Sequence, residues 1–245
     1  MANWSDPRSG VAGFGNATAA RGEAFDAGLR RYMLSVYNYM ASGVLLTGIV
    51  ALLFASSGLA YQILAGPGLL KYIIMFAPLA FVMVLSFGIN RLSTVTAQAL
   101  YWAYAAVMGL SLSSIFLVYT GTSIAQTFFA TAAAFAGLSL WGYTTKKDLS
   151  GFGTFLIMGV VGLLVASLIN LFLRSSAMDL VISFLGVLLF AGLTAYDTQK
   201  IKSIYAHVAG TDMMGKSVVM GALNLYLDFI NMFLFLLRFM GGSRD

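Results

Sequence analysis

The sequence predicts an all-α membrane protein with seven transmembrane helices. The prediction rests on its composition, its hydropathy and the spacing of its charges. Of 245 residues, 60% are hydrophobic and only 9% charged, where a soluble domain carries about a quarter charged residues. Mean hydropathy is +0.87. The few charges are separated by stretches long enough to hold spanning helices, each of which needs about 20 mostly apolar residues.

The segments follow in order. Residues 1–28, MANWSDPRSGVAGFGNATAARGEAFDAG, are rich in Gly, Ala, Ser and Asn and have no apolar core. They are expected to form a mobile cytoplasmic N-terminal tail, not a cleavable signal, which needs an early apolar run. Arg30-Arg31 marks the membrane border, and residues 29–245 form the seven-helix domain. The first span is expected near 33–54. Ser56-Ser57-Gly58 through Gly66-Pro67-Gly68 reads as a loop. The second span, 72–90, fills the gap between Lys71 and Arg91. The uncharged stretch after Arg91 is too long for one helix. It divides at the small polar cluster Thr120-Gly121-Thr122-Ser123, giving spans at 98–119 and 124–143. Lys146-Lys147-Asp148 reads as a solvated turn before the fifth span, 152–173, and the sixth is expected at 179–198. The seventh, 218–240, differs from the rest because Asp228 interrupts it.

Ten of the 14 Lys and Arg residues fall on one side of this layout: Arg8, Arg21, Arg30, Arg31, Arg91, Lys146, Lys147, Lys200, Lys202 and Lys216. Lys71, Arg174, Arg238 and Arg244 fall on the other. The positive-inside rule then puts the N-terminus in the cytoplasm. A seventh segment that spans fully leaves the C-terminus outside, whereas a re-entrant hairpin returns it to the cytoplasm. The net charge of +5 is this loop bias, and no basic run interleaved with aromatics suggests nucleic-acid binding.

Several function classes fall away. With no Cys and one His, thiol chemistry and multi-imidazole metal sites are excluded. No Gly-x-Ser-x-Gly, His-Glu-x-x-His or P-loop motif is present, so the chain is expected not to be an enzyme. Two membrane aspartates formally permit intramembrane aspartyl proteolysis, but the residues around them do not resemble those proteases. The seventh span has no interior Lys to form a retinal Schiff base. Tyr32, Tyr72, Tyr101, Trp102, Trp141 and Tyr143 read as interfacial aromatics. His207 reads as a loop residue, and Gly159 and Gly162 as sites of close helix packing.

Three ionisable residues remain as candidates, because a charge in the bilayer core costs about 2.5–3.5 kcal/mol on insertion scales. Asp228 lies on a polar stripe with Asn224 and Asn231, at i−4 and i+3 on an otherwise apolar helix. It is a pathway or relay group, or a structural carboxylate that pins a neighbour. Asp197 follows Thr194 near the end of the sixth span, in Thr194-Ala-Tyr-Asp-Thr-Gln-Lys200, where it is a partner for Asp228 or a solvated interfacial acid beside Lys200. Arg91 is a flank residue that snorkels to the headgroups or a counter-charge to the acids. The orientation count brings Arg91 and Asp197 to the cytoplasmic face, with Asp228 about mid-depth. Two carboxylates in one dry pocket do not both ionise cheaply, so they share a proton and titrate together. Carboxylate and amide oxygens also suit Ca²⁺, which makes Asp197 and Asp228 candidate Ca²⁺ contacts.

Tyr196-Asp-Thr-Gln-Lys-Ile201, Leu225-Tyr-Leu-Asp-Phe-Ile-Asn231 and Leu236-Leu-Arg238 resemble the signature of the Bax inhibitor-1 (transmembrane Bax inhibitor motif) family. The resemblance runs from Arg30 to the C-terminus. It implies six helices surrounding a central C-terminal helix. It also implies a pH-sensitive calcium leak, with Asp197 paired to Asp228 and Arg91 contacting the pair in the closed form. Expected partners are the lipid bilayer, Ca²⁺ and H⁺, with no nucleic acid. No cofactor is expected beyond Ca²⁺ as a permeant or bound ion. The alternative is a non-conducting regulator that modulates a membrane-bound AAA+ protease. The chain ends Gly241-Gly-Ser-Arg-Asp245 without the Lys-rich tail of eukaryotic members, and its second span carries no acid. The expected location is the bacterial inner membrane.

Overall fold

The computed structural model describes the backbone of residues 11–242 and the side chains from residue 23 onward. The described chain is helical, with no strand. The elements are α1 (Val11–Ser56), a π-helical turn (Tyr61–Ala65), α2 (Leu70–Gly88), α3 (Thr94–Leu112), α4 (Ile115–Val118), α5 (Gly121–Thr144), α6 (Ser150–Leu173), α7 (Ser176–Val208) and α8 (Met213–Met240). Seven helices are long and apolar enough to cross a membrane, with α3 and α4 counted as one. This is a multi-pass membrane protein.

Local chemistry fixes the starts. Ser93, Thr120 and Ser175 cap α3, α5 and α7, each accepting a hydrogen bond from a backbone N–H three residues on. Such caps satisfy amides that a helix start leaves unpaired. The break between α3 and α4 has the same origin in reverse. Ser113 donates to the Leu110 carbonyl at 2.6 Å and Ser114 to the Ser111 carbonyl at 3.0 Å, hydrogen bonds that compete with the helical ladder. The expected division at Thr120–Ser123 falls where α5 begins.

Several boundaries differ from the sequence reading. The α1 helix already exists at Val11, so the expected tail is helical from there; residues 1–10 lie outside the described residues. Phe25 packs on Tyr205, with ring centroids 5.1 Å apart, which ties this end of α1 to α7. The sixth span, expected to end at 198, runs on to Val208 and carries His207 in its last turn. The seventh segment is one continuous helix, not a hairpin. Its far end meets the start of α7 through Arg238 and Asp179 at 3.5 Å, and Gly242 accepts from the Thr120 amide at 3.2 Å.

The core gathers on α8. In its most apolar stretch 67% of the residues are buried, against 28% or less in every other span. It packs extensively on α1, α3, α5 and α7, while α2 lies mainly on α3 and α6 mainly on α7. Phe87 on α2 and Phe172 on α6 are 83% and 84% exposed, as expected of faces turned to lipid. Two aromatics read as interfacial are core residues instead: Tyr32 and Tyr101 are buried, whereas Tyr72, Trp102 and Trp141 are exposed. A Cβ on Gly159 would press on Leu189, but one on Gly162 would meet open space, so only the first glycine marks a tight contact.

Candidate functional site

The site lies on the antiparallel pair α7 and α8. Two glycines set how closely these helices approach. Gly186 of α7 lies against the Phe235 ring, and Gly221 of α8 lies against Ile201. Small residues at such points let helix axes draw together. The two contacts also fix the register. Between them Asp228 comes level with Leu193 and Thr194, and Asp197 with Asn224. The two acids are therefore offset by about one turn, near 5 Å along the axis.

Asp228 is 4% exposed, and its Oδ2 has no hydrogen-bond partner among the described residues. The charge that acts on it electrostatically is Asp197. Asp197 is partly buried, and Lys200, one turn further on, is the cation that acts on it. The flanking polar groups are occupied within their own helices. Thr194 Oγ1 donates to the Phe190 carbonyl at 2.8 Å, and Asn231 Nδ2 donates to the Leu227 carbonyl at 2.8 Å. Neither side chain is hydrogen-bonded to Asp228. Asn224 instead lines a cavity of about 150 Å³ with Tyr32, Lys200, Ile201 and Lys216. This cavity stops one helical turn short of Asp228. Arg91 is exposed in the short α2–α3 connection, and no ion pair joins it to either acid among the described residues. In this conformation it stands apart from the pair.

The rest of the Tyr196–Lys200 stretch has a positioning role that the sequence reading did not find. Gln199 Oε1 accepts from the Leu149 amide at 2.8 Å, while its Nε2 donates to the Lys147 carbonyl at 2.8 Å. Thr198 donates to Ser139 at 3.3 Å, and Lys202 donates to the Tyr143 carbonyl at 2.8 Å. Gly142 of α5 lies against the Ala195 backbone, and Gly153 of α6 against the Tyr196 ring. The turn of α7 that carries Asp197 is thus clamped to α5, α6 and the loop between them.

A second missed feature is a tyrosine cluster on the opposite flank of α8. Tyr226 and Thr47 share a hydrogen bond at 2.7 Å, and Thr47 lies 2.8 Å from the Ala105 carbonyl. Tyr104 and Tyr101 meet Tyr226 edge-on, at 5.2 and 6.3 Å. Tyr101 donates to the Tyr39 carbonyl at 2.9 Å. The signal was present in α3, where Ala97, Tyr101, Tyr104, Ala105, Gly109 and Leu112 recur at helical spacing and are buried together.

Among the described residues, no group of three or more His, Cys, Asp or Glu side chains is placed to hold a metal ion. Asp197 and Asp228 are two acidic side chains, below that number.

Residues 29–245 match the family model described as "Inhibitor of apoptosis-promoting Bax1". The chain is 49% identical to an uncharacterized protein of Rickettsia prowazekii over 93% of this chain and 96% of that protein. It is 47% identical to the inner membrane protein YbhL of Escherichia coli, covering 89% of this chain and 94% of YbhL. An uncharacterized membrane protein of Streptococcus pyogenes is 38% identical, over 89% of this chain and 95% of that protein.

Proposed function

The chain belongs to the Bax inhibitor-1 family, as a bacterial inner-membrane member, and on that footing we propose that it is a pH-sensitive cation leak pathway with Ca²⁺ as cargo. Protonation of the Asp197–Asp228 pair sets its gate. The observation that carries this reading is Asp228, buried with an unpartnered Oδ2 and within electrostatic reach of Asp197. A carboxylate in an apolar interior requires a partner or a proton. Gain of a second negative charge on the α7–α8 pair drives the two carboxylates apart or draws in a cation or water. Either response loosens the seam that closes the bundle. Asn224 and the cavity beside Lys200 and Lys216 supply the approach from the basic side, which under the positive-inside rule is the cytoplasm. Two acids with no third such ligand grouped with them among the described residues suit a passing ion better than a resident one. Under this reading the protein catalyses no covalent reaction and holds no cofactor.

The test is flux from reconstituted liposomes loaded with a calcium dye while the external pH is stepped. Wild type is expected to change its leak rate across the step, and Asp228→Asn, which cannot titrate, to show a flat profile. An unaltered pH profile in Asp228→Asn would falsify the gate assignment.

A second reading is a non-conducting regulator of a membrane-bound AAA+ protease. It is favoured by α1, whose helical backbone extends from Val11 ahead of its membrane span. Deleting residues 2–22 separates the two readings. A regulator loses its effect on the protease, whereas a leak pathway keeps its flux.

A further inference from the structure

A cavity of about 750 Å³ lies away from the acidic pair. It is a groove between α1 and α5, with Phe229 of α8 as its floor. Met33, Tyr37 and Val44 form one wall, and Phe128 and Phe135 form part of the other. These two helices diverge here, each packed on α8 but not closely on one another. The groove runs along α1 from Arg30 to Leu45, about 22 Å at 1.5 Å per residue. That exceeds the hydrocarbon depth of one leaflet, about 15 Å. It lies within membrane spans, so its surroundings are lipid.

Its two ends differ. The deep end is apolar, with Leu45 and Phe128. The mouth carries Arg30, which is exposed and has no ion-pair partner among the described residues, although Asp26 stands one turn away. Tyr143 also lines the mouth. Lys202 is held over the Tyr143 ring at 4.8 Å and bonded to its carbonyl at 2.8 Å. Arg30 therefore stands at headgroup level above an acyl-sized apolar channel, with Lys202 held against the Tyr143 that lines the mouth. Basic pockets between spanning helices take anionic headgroups.

We propose that this groove is a binding site for one anionic phospholipid, its phosphate at Arg30 and an acyl chain along Tyr37, Val44 and Phe229. The charge at the mouth selects the headgroup, and the length and apolarity of the channel select the chain. The groove wall includes Phe229, the residue after Asp228, so a bound lipid stands directly behind the helix turn that carries the acid.

The test uses the full chain, purified in detergent, stripped of lipid and titrated separately with dioleoyl phosphatidylglycerol and dioleoyl phosphatidylcholine, with bound copies read by native mass spectrometry. Wild type is expected to hold one phosphatidylglycerol more tightly than phosphatidylcholine. Arg30→Gln is expected to weaken phosphatidylglycerol about fivefold, as about 1 kcal/mol per basic residue implies, and to leave phosphatidylcholine unchanged. Arg30→Lys keeps the preference. Ala136→Phe, which fills the groove from its exposed wall, removes the tight copy, with an unchanged melting temperature as the folding control. Equal affinity for both lipids in wild type, or a tight copy that survives both Arg30→Gln and Ala136→Phe, overturns the proposal. So does photo-crosslinking from position 45 in native membranes that captures a polypeptide and no lipid.

Discussion

Asp228 and Asp148 are both carboxylates near the α7 clamp, yet their surroundings assign them opposite roles. Asp148 stands in the exposed α5–α6 loop, where its Oδ1 accepts from the Ser150 amide at 2.9 Å. The Ser150 side chain and amide hold its carboxyl below the usual carboxylate range. A lowered folded value contributes stability that is present above the unfolded value of about 3.9 and is lost as pH falls through the folded one. Asp148 therefore stays ionised throughout the range from pH 5 to 8, and a pH response there does not come from it. Asp148→Asn is expected to leave the liposome flux profile between pH 5 and 8 as in wild type, in contrast to the flat profile of Asp228→Asn. The glycines divide in the same way. At Gly142 a Cβ would collide with the Ala195 backbone, which has no side-chain freedom to yield, whereas at Gly162 it would meet nothing. Gly142→Ala is expected to cost about 1–3 kcal/mol by overpacking. Gly162→Ala should stay within about 1 kcal/mol of neutral. Denaturant titration in mixed micelles checks both, and equal effects would refute the close approach of α5 and α7 beside Asp197.

At the scale of elements, the Gln199 clamp joins a membrane helix to a loop. Its two hydrogen bonds reach the α5–α6 connection from α7, at about 0.5–1.5 kcal/mol each. Gln199→Leu is expected to free the loop, and hydrogen exchange at the Leu149 amide should accelerate while amides in the middle of α8 keep their protection. The spans themselves were legible because charge is costly in a bilayer: every break between Lys71 and Arg174 falls where charges or small polar residues cluster. The ends were less legible. Hydropathy fades where a helix enters water, but the backbone hydrogen-bond ladder does not, so α1 and α7 run well past their expected limits. The π-helical turn at Tyr61–Ala65 left no pattern to read. At the site, Asp228 and Asp197 were visible as acids in apolar helices, and their neighbourhood follows from the α7–α8 register. Arg91 was placed by its distance along the chain, and spacing does not say which way a flanking side chain turns. The tyrosine cluster was hidden by an end-of-span reading of aromatics, when the deciding feature was helical spacing with Ala97, Ala105 and Gly109.

The whole molecule is a set of alternating crossings closed by a buried last helix, and its two ends are distinguishable without reference to function. The Arg238–Asp179 contact and the Gly242 hydrogen bonds to Thr120 and Ser123 bring the end of α8, the start of α7 and the start of α5 to one face. The loops at 89–93, 145–149 and 209–212 belong to the other face. That second face carries Arg91, Lys146, Lys147, Lys200 and Lys216, and the positive-inside rule predicts that it faces the cytoplasm. With that orientation, a continuous α8 is expected to end at the outer face. The absence of cysteine from the chain makes this directly testable, since any single introduced thiol is the only one labelled. A membrane-impermeant maleimide added to intact spheroplasts is expected to label Thr122→Cys and to spare Lys147→Cys until the membrane is opened. The reverse pattern would invert the molecule, put the cavity beside Lys200 and Lys216 on the outer face, and make external pH the direct input to Asp197. The same labelling at both positions before lysis would mean that the chain inserts in two orientations, and the basic loops would then have lost their power to set direction.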